Sequence, residues 1–540
     1  MSAREQLGRH TAFRASTSGG PPLPLSKRRK RLALLVASVS IMMLGIDGTV
    51  LNVALPTLER ELHPSSSGLQ WIADSYVLAN AVLLLFGGAL GDRFGRRNVL
   101  VGGLAVFGSA SLGASLVDTA DGLIAARVVL GLGAAILMPA TLSSLTSVFS
   151  EPRERATAIG IWAGVVGIGS AIGPLLGGFL LTNFWWGSVF LINVPVAVIA
   201  IVAALWVMPD SRAPVPPSLD PVAVLLSALG LSFIVWAIIE APISGWGAGK
   251  VLGALVAGAV CLVAFVTWEQ HRANPIIDLS LFRIPVFSTA SGAVAVMFFG
   301  MMGLSFLLSQ YLQFVDGDSA MQVGIRFIPS AAGMLIVSPL SSRVVARIGL
   351  RASITTGMAL AAAGSAMLIG VTRTSGYPLV GLSFTLSAVG MSLSMAPASN
   401  AIMGSLPPDR LGGGAGLRST VQLVGGSFGV AVLGTLASSR YRSTMAAALH
   451  GPLRGLPASA DAAARDQIGA AIEASNSLHE PLATSLRQAA ASGYVAGIHL
   501  AAIVGAIVGV AGAVAASRVI PRGTHGTPSS PVTPLSEQGE

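Results

Sequence analysis

The chain has 540 residues, 53% of them hydrophobic and 11% charged, with a formal net charge of +9 and one cysteine. Such a charged share is far below the quarter or so of an ordinary soluble domain, and it excludes a water-soluble fold, because too little polar surface is present to cover the apolar side chains. The positive balance does not point to nucleic acid, since the basic residues sit in short gaps between apolar runs. Cys261 lies inside one of those runs, so neither a disulfide framework nor a cysteine metal site can form within one chain.

Residues 1–31 read as a disordered basic cytoplasmic tail, polar through Gly19 to Pro22 and ending in Lys27, Arg28, Arg29, Lys30 and Arg31 ahead of an apolar run too long for a signal-peptide core. Apolar stretches between charged or Pro/Gly-rich breaks then predict helices near 33–55, 69–90, 98–117, 122–147, 155–181 and 188–207, an N-terminal six-helix bundle over 32–210. Two linking transmembrane helices follow within 219–268, near 219–240 and 250–268. A C-terminal six-helix bundle over 286–518 has helices near 286–312, 323–345, 353–371, 378–403, 414–436 and 493–517, and 519–540 is a second disordered cytoplasmic tail. Each crossing is long enough for about 30 Å of hydrocarbon. The fold class is therefore an all-α polytopic membrane protein of six plus two plus six helices.

Lysine and arginine placement orients it. The N-terminal cluster, Arg93/Arg96/Arg97, Arg153/Arg155, Arg212, Arg272/Arg283, Arg343/Arg347/Arg351, Arg410 and Arg518/Arg522 fall on one side, against Arg60, Lys250 and Arg373 on the other. Basic residues mark loops retained in the cytoplasm, so both termini are expected there, with the chain in the inner (plasma) membrane. Segment 437–492 is a long extracellular loop with apolar residues too sparse to span. Its Ala-rich composition predicts a helical hairpin of Ala458–Ser475 and Leu478–Ser492, parted near Asn476, with an irregular loop as the alternative.

Several residues suit transport chemistry. Gly88-Ala-Leu-Gly-Asp92-Arg93-Phe-Gly95-Arg96-Arg97 closes the second helix with an acid, three bases and a tight glycine turn, a clasp able to make charge-assisted bonds in one conformation and release them in another. The string resembles the signature loop of the major facilitator superfamily, and the resemblance implies that Asp92 and Arg93 latch the outward-facing state. Arg127, in Leu123-Ile-Ala-Ala-Arg127-Val-Val-Leu-Gly131, sits one turn into an apolar helix, where a charge costs about 2.5 to 3.5 kcal/mol. It either serves the proton coupling implied by resemblance to the superfamily's fourth-helix motif or reaches the outer surface beside Asp118 and Asp121.

In the fifth helix Gly164, Gly169, Gly173, Pro174, Gly177 and Gly178 combine small residues at four-residue spacing with a helix-bending proline. Gly173-Pro174-Leu-Leu-Gly177-Gly178 resembles the antiporter motif of exporters; close helix packing alone would be the plainer use. Asp47, in Gly45-Ile-Asp47-Gly-Thr49-Val-Leu-Asn52, lies mid-helix with Thr49 and Asn52 as polar neighbours and no base local in sequence, so it is expected to take a proton or a cation. That string resembles the first-helix motif of fourteen-helix drug/proton antiporters. Asp74, in Leu69-Gln-Trp71-Ile-Ala-Asp74-Ser-Tyr76, is flanked by aromatic residues, a combination suited to an organic cation or else merely an interfacial acid. It resembles the subset that exports quaternary ammonium compounds and cationic dyes. Phe298, Phe299, Met302, Phe306 and Tyr311 in the ninth helix, with Asn52, Trp71 and Tyr76, are candidates for an adaptable pocket, or for lipid-facing packing.

The reading is a major facilitator fold exporting hydrophobic, mainly cationic drugs, dyes and quaternary ammonium compounds against protons, as a monomer in the bilayer. An exporter of an endogenous metabolite or self-made antibiotic is the alternative within the class. A polytopic membrane enzyme is the alternative outside it, but no nucleotide loop, metal-ligand cluster or nucleophile–base spacing is present, and no cofactor is expected. Neither 323–345 nor 414–436 holds an acid, so the extra carboxylates of dication exporters are missing.

Overall fold

A computed structural model describes residues 26–149, 151–210, 220–272, 279–405 and 411–520, and among them no strand occurs. The tails expected over 1–31 and 519–540 lie mostly outside these residues. In chain order the helices are α1 (Lys27–Leu62), α2 (Ser66–Phe94), α3 (Arg96–Leu116), α4 (Ala120–Val148), α5 (Pro152–Asn183) and α6 (Ser188–Val207). Then come α7 (Pro221–Ser244), α8 (Gly249–Gln270), α9 (Pro285–Gln310), α10 (Ala320–Ser341), α11 (Arg343–Gly370), α12 (Gly376–Gly404) and α13 (Leu411–Leu449). The short α14 (Ala458–Asp466) and α15 (Ile468–Ser475) precede the last long helix, α16 (Leu482–Val519). Twelve helices among the described residues, all the long ones except α2 and α5, are long and apolar enough to cross a membrane.

Local chemistry explains the boundaries. Ser65 caps α2 through Gly68 N at 3.1 Å, Thr119 caps α4 through Gly122 N at 3.2 Å, and Asp220 caps α7 through the amides of Val222 and Ala223. The chain reverses between α2 and α3 at Gly95 (φ 98°), and α10 and the first turns of α11 form one helical run from Ile328 that bends at Gly349 (φ 84°) before the rest of α11. Both are left-handed positions that suit glycine, and they stand at corresponding turns of the two six-helix halves.

Three expectations on helix bounds change. α1 begins at Lys27, inside the expected tail, because Lys30 Nζ meets Glu154 at 2.5 Å and Arg29 Nε donates to the Val207 carbonyl at 3.0 Å, tying that turn to α5 and α6. α13 runs on to Leu449, well past the expected 436. In the 437–492 segment the first expected helix breaks at Gln467, whose backbone is extended, and the second is not a separate helix: from Leu482 the chain already belongs to α16. The apolar pattern stops where lipid would stop, but the hydrogen-bonded helices do not.

In the first half α1 packs on α5, and α2 and α3 on α4; in the second half α9 packs on α13 and α11 on α12. α7 touches both α2 and α13, while α8 packs chiefly on α7. One apolar core runs through the N-terminal half and, at the end of the molecule away from the termini, continues through Leu304–Phe327, Val430–Leu453 and Tyr494–Ala502 of the C-terminal half. At the termini end the C-terminal half has a separate core around Phe287, Ile354, Ile402 and Ile520. Among the described residues the two halves thus share apolar packing at the far end and not at the termini end.

Candidate functional site

Asp47 is fully buried (0% exposed) near the middle of α1, where the helix leaves no backbone group free to meet it, so its partners come from other helices. Arg127 of α4 (1% exposed) donates from Nη1 to Asp47 Oδ2 at 3.1 Å and from Nε to the Ile72 carbonyl of α2 at 3.2 Å. Its guanidinium carbon lies 4.3 Å from the centroid of the Tyr76 ring. Asn193 of α6 reaches the other carboxylate oxygen at 3.5 Å and the Ser111 hydroxyl of α3 at 3.4 Å. Five helices of the N-terminal half therefore meet on one buried ion pair, each charge being tolerable there only because of the other.

The base that Asp47 lacks nearby in sequence arrives from 80 residues further along the chain. Arg127 turns inward to Asp47 rather than outward to Asp118 and Asp121. Asn193 and Ser111 were missed, although an amide in the apolar run 188–207 was a visible signal.

Asp74 behaves differently. It is fully buried on α2, facing α13, and neither carboxylate oxygen has a hydrogen-bond partner; the Ser427 hydroxyl is close enough to be felt electrostatically but falls short of hydrogen-bond geometry. No guanidinium or ammonium pairs with it among the described residues. The aromatic flank expected around it does not assemble. Tyr76 is taken by Arg127, and Trp71 packs with Leu78, Val82, Val235 and Ile239 against α7. For Tyr76 the physical reason is helix geometry, since residues two apart point to different sides of a helix; Trp71, three residues from Asp74, is drawn instead into the apolar cluster with α7.

The remaining pocket candidates also separate. Phe298 joins the termini-end core of the C-terminal half, Phe299 and Met302 border the close crossing of α9 on Gly429 and Gly426 of α13, and the Tyr311 hydroxyl donates to the Thr372 carbonyl at 3.0 Å. Asn52 contributes its carbonyl, which accepts from Ser309 of α9 and stitches the two halves. Phe306 alone of the eight borders a far-end cavity of about 30 Å³, room for one water, together with Gln70, Gln310, Gly434, Tyr441 and Tyr494.

The glycines of α5 serve contact. A Cβ on Gly169 would come within 2.7 Å of the Met42 carbonyl, one on Gly177 within 2.8 Å of Val50, and one on Gly173 would overlap Thr49, all on α1; Gly178 meets Met321 of α10 at 2.7 Å. Gly164 faces open space and takes no part. Pro174 abuts Gly324 of α10, so the α5 motif touches both halves. At the clasp, Arg96 donates to the Ser143 carbonyl of α4 at 3.4 Å, Arg93 is exposed and Arg97 half-buried; the surroundings of Gly88 and the side chain of Asp92 lie outside what is described.

The Major Facilitator Superfamily matches residues 37–430. The tetracenomycin C resistance and export protein of Streptomyces glaucescens is 35% identical over 426 residues, covering 78% of this chain and 79% of its own length. The multidrug efflux pump LfrA of Mycolicibacterium smegmatis is 32% identical over 495 residues, 92% of this chain and 97% of its own, and the methyl viologen resistance protein SmvA of Salmonella typhimurium is 34% identical over 475 residues, 86% and 93%. In fold the chain is similar to a bacterial homolog of the human lysosomal transporter Spinster, with a TM-score of 0.65 at 18% identity over 92% of this chain and 98% of that one.

Proposed function

The chain belongs to the Major Facilitator Superfamily, and we propose that it is a multi-pass membrane exporter of drugs, chiefly hydrophobic organic cations, driven by protons entering in exchange. Fourteen crossings, with α2 and α5 added to the twelve, would leave both termini on one side, and the arginines and lysines of the loops on that side support the cytoplasm, with α14–α15 outside. The six-helix halves rock about the seam that α2, α5, α9, α10 and α13 share, bridged by α7–α8, and one chain suffices. The observation that carries the reading is Asp74: a buried carboxylate without a hydrogen-bond partner on a helix that faces the opposite half. A charge in that position needs a cation or a proton, and each displaces the other.

When the termini end parts, Asp74 is offered to the cytoplasm and takes an organic cation; when the far end parts, a proton from outside neutralises the acid and the cation leaves. The Asp47–Arg127 pair supplies a second exchange, since a proton on Asp47 frees Arg127 to loosen α1 from α4 and α2. Relatives named for multidrug efflux and for resistance support the export direction. The relative named for methyl viologen concerns a dication; here the C-terminal six helices hold no carboxylate, so a second charge would have to be met in the N-terminal half. In proteoliposomes with an imposed pH gradient, Asp74→Asn should abolish dye efflux, and undiminished efflux would sink the assignment.

A second reading, export of a self-made antibiotic, is favoured by the relative named for tetracenomycin C. Ethidium and quaternary ammonium salts that fail to compete with each other, and fail to be moved, would favour it.

A further inference from the structure

Pro56 stands in the last two turns of α1 and has no N–H to give, so the carbonyl of Asn52, four residues earlier, has no donor within its own helix. Inside a membrane such a carbonyl has to be met by a neighbouring side chain or by water. Here it is met from the opposite half, where the Ser309 hydroxyl of α9 donates to it. One turn on, in the wide turn Tyr311–Val315 that ends α9, Gln313 donates from Nε2 to the Val53 carbonyl at 2.9 Å. The two carbonyls differ, because Val53 is followed four residues later by Thr57, whose amide can serve it within the helix.

These bonds fall where the halves touch. Leu304, Leu307 and Leu308 of α9 share one apolar core with Val50, Leu51 and Leu55 of α1, and α14 and α15 cap this end of the seam, bordering its cavity through Asp466, Gln467 and Ile468. Elsewhere on the seam Thr435 Oγ1 meets Gln70 Oε1 at 3.5 Å, a tie between side chains that can each turn to another partner. A carbonyl fixed in a helix cannot turn. With the far end closed, the Asn52 carbonyl is satisfied through Ser309; with it parted, water entering the seam takes that place.

We infer that Pro56 and Ser309 form a latch on the far end of the seam, in which Ser309 is a positioning residue: its hydroxyl favours the closed arrangement by meeting a carbonyl that the proline has stripped of its own donor. The apolar contacts bring the two halves together, and the latch sets how often they part. The inference rests on the proposed exporter reading for the place of that parting in transport, not for the parting itself.

The test measures how often the seam parts, through a Ser305→Cys thiol at a position 4% exposed and one turn from Ser309 on the same face of α9. The native cysteine is removed by Cys261→Ser, and the protein is held in lipid nanodiscs without substrate. Alkylation by a charged, water-soluble maleimide, dilute enough that the rate scales with its concentration, follows the parted population. Ser309→Ala should raise that rate about tenfold, the order that a buried acceptor left without a donor commands. Ser309→Thr keeps the hydroxyl and should hold the original rate. Pro56→Ala returns an intrahelical donor to the Asn52 carbonyl, so in that background Ser309→Ala should change the rate by less than about twofold. An unchanged rate in Ser309→Ala, an equal acceleration with and without the proline, or a Ser309→Thr chain that labels as fast as Ser309→Ala, each overturns the latch. Asp74→Asn separates this from the exporter reading: it should stop efflux from proteoliposomes while Ser309→Ala still accelerates labelling, and efflux that persists sinks the assignment of Asp74 alone.

Discussion

The two six-helix halves are built to the same plan and from different chemistry. Within the N-terminal half, α1, α2 and α4 carry Asp47, Glu59, Asp74 and Arg127 as buried charged groups. The C-terminal half has no carboxylate in any of its six long helices, and its helices are joined instead by small residues and hydroxyls. Ser353 donates to the Leu393 carbonyl at 3.1 Å, Ser394 to that of Ile354 at 3.1 Å, and Ser383 to that of Gly364 at 2.6 Å. A Cβ on Gly390 would lie 2.7 Å from the Ala361 amide nitrogen, and one on Gly429 2.8 Å from the Phe299 Cα. The contrast teaches that charge transfer and rigid support can be assigned to different halves: a close glycine crossing resists repacking, whereas a buried ion pair has two discrete states.

The largest effect should come from Asp74→Asn, with pH-driven efflux lost and the thermal midpoint of the purified protein nearly unchanged, since the acid has no bond to lose. Next, Arg127→Met should cost about 3 to 5 kcal/mol by stranding Asp47, while Asp47→Asn combined with Arg127→Met should recover most of that loss in a thermal-unfolding comparison; additive losses would dissolve the pair. Gly429→Ala should cost about 1 to 3 kcal/mol by overpacking and leave the pH profile of transport where it was, which is the sharpest check on a supporting C-terminal half.

A smaller effect is expected at Asp220, outside the spans. Burial alone pushes its carboxyl up, but the hydrogen bond from Trp268, the amides of Ala223 and Val222 and the Arg272 guanidinium outweigh it and hold the group below its ordinary value. The tie it makes across α7 and α8 is therefore complete at neutral pH and lost as pH falls through that lowered value. Asp220→Ala should cost about 1 kcal/mol and flatten this acid dependence. The smallest is Asp461→Ala: its pairing with Arg465 at 2.7 Å is exposed, and no measurable change in thermal midpoint is expected.

The helices were legible in the sequence because lipid imposes long apolar runs, and Asp47, Asp74 and Arg127 stood out because charge inside such runs is costly. What joins Asp47 to Arg127 was not legible, since pairing depends on which faces of α1 and α4 meet, and sequence spacing of 80 residues carries no such information. Tyr76 misled because residues two apart do not share a helix face, and Trp71 because its indole is taken by the apolar cluster with α7, a tertiary contact that no local spacing shows. The cap helices were blurred because an Ala-rich segment is helical whether it stands alone or extends a neighbour, as Leu482 onward does in α16.

Helix α2 holds Asp74 near its far end and Arg93 at the other, about 28 Å apart at the rise of an α-helix, and Arg127 grips it at Ile72. A straight rod pinned near one end swings most at the other, so if Asp74 takes a cation as proposed, its occupancy and the closing of the clasp would bias each other by the same free energy in both directions. Tightening the clasp by substitution should then change how strongly the acid holds its cation, with no contact between the two.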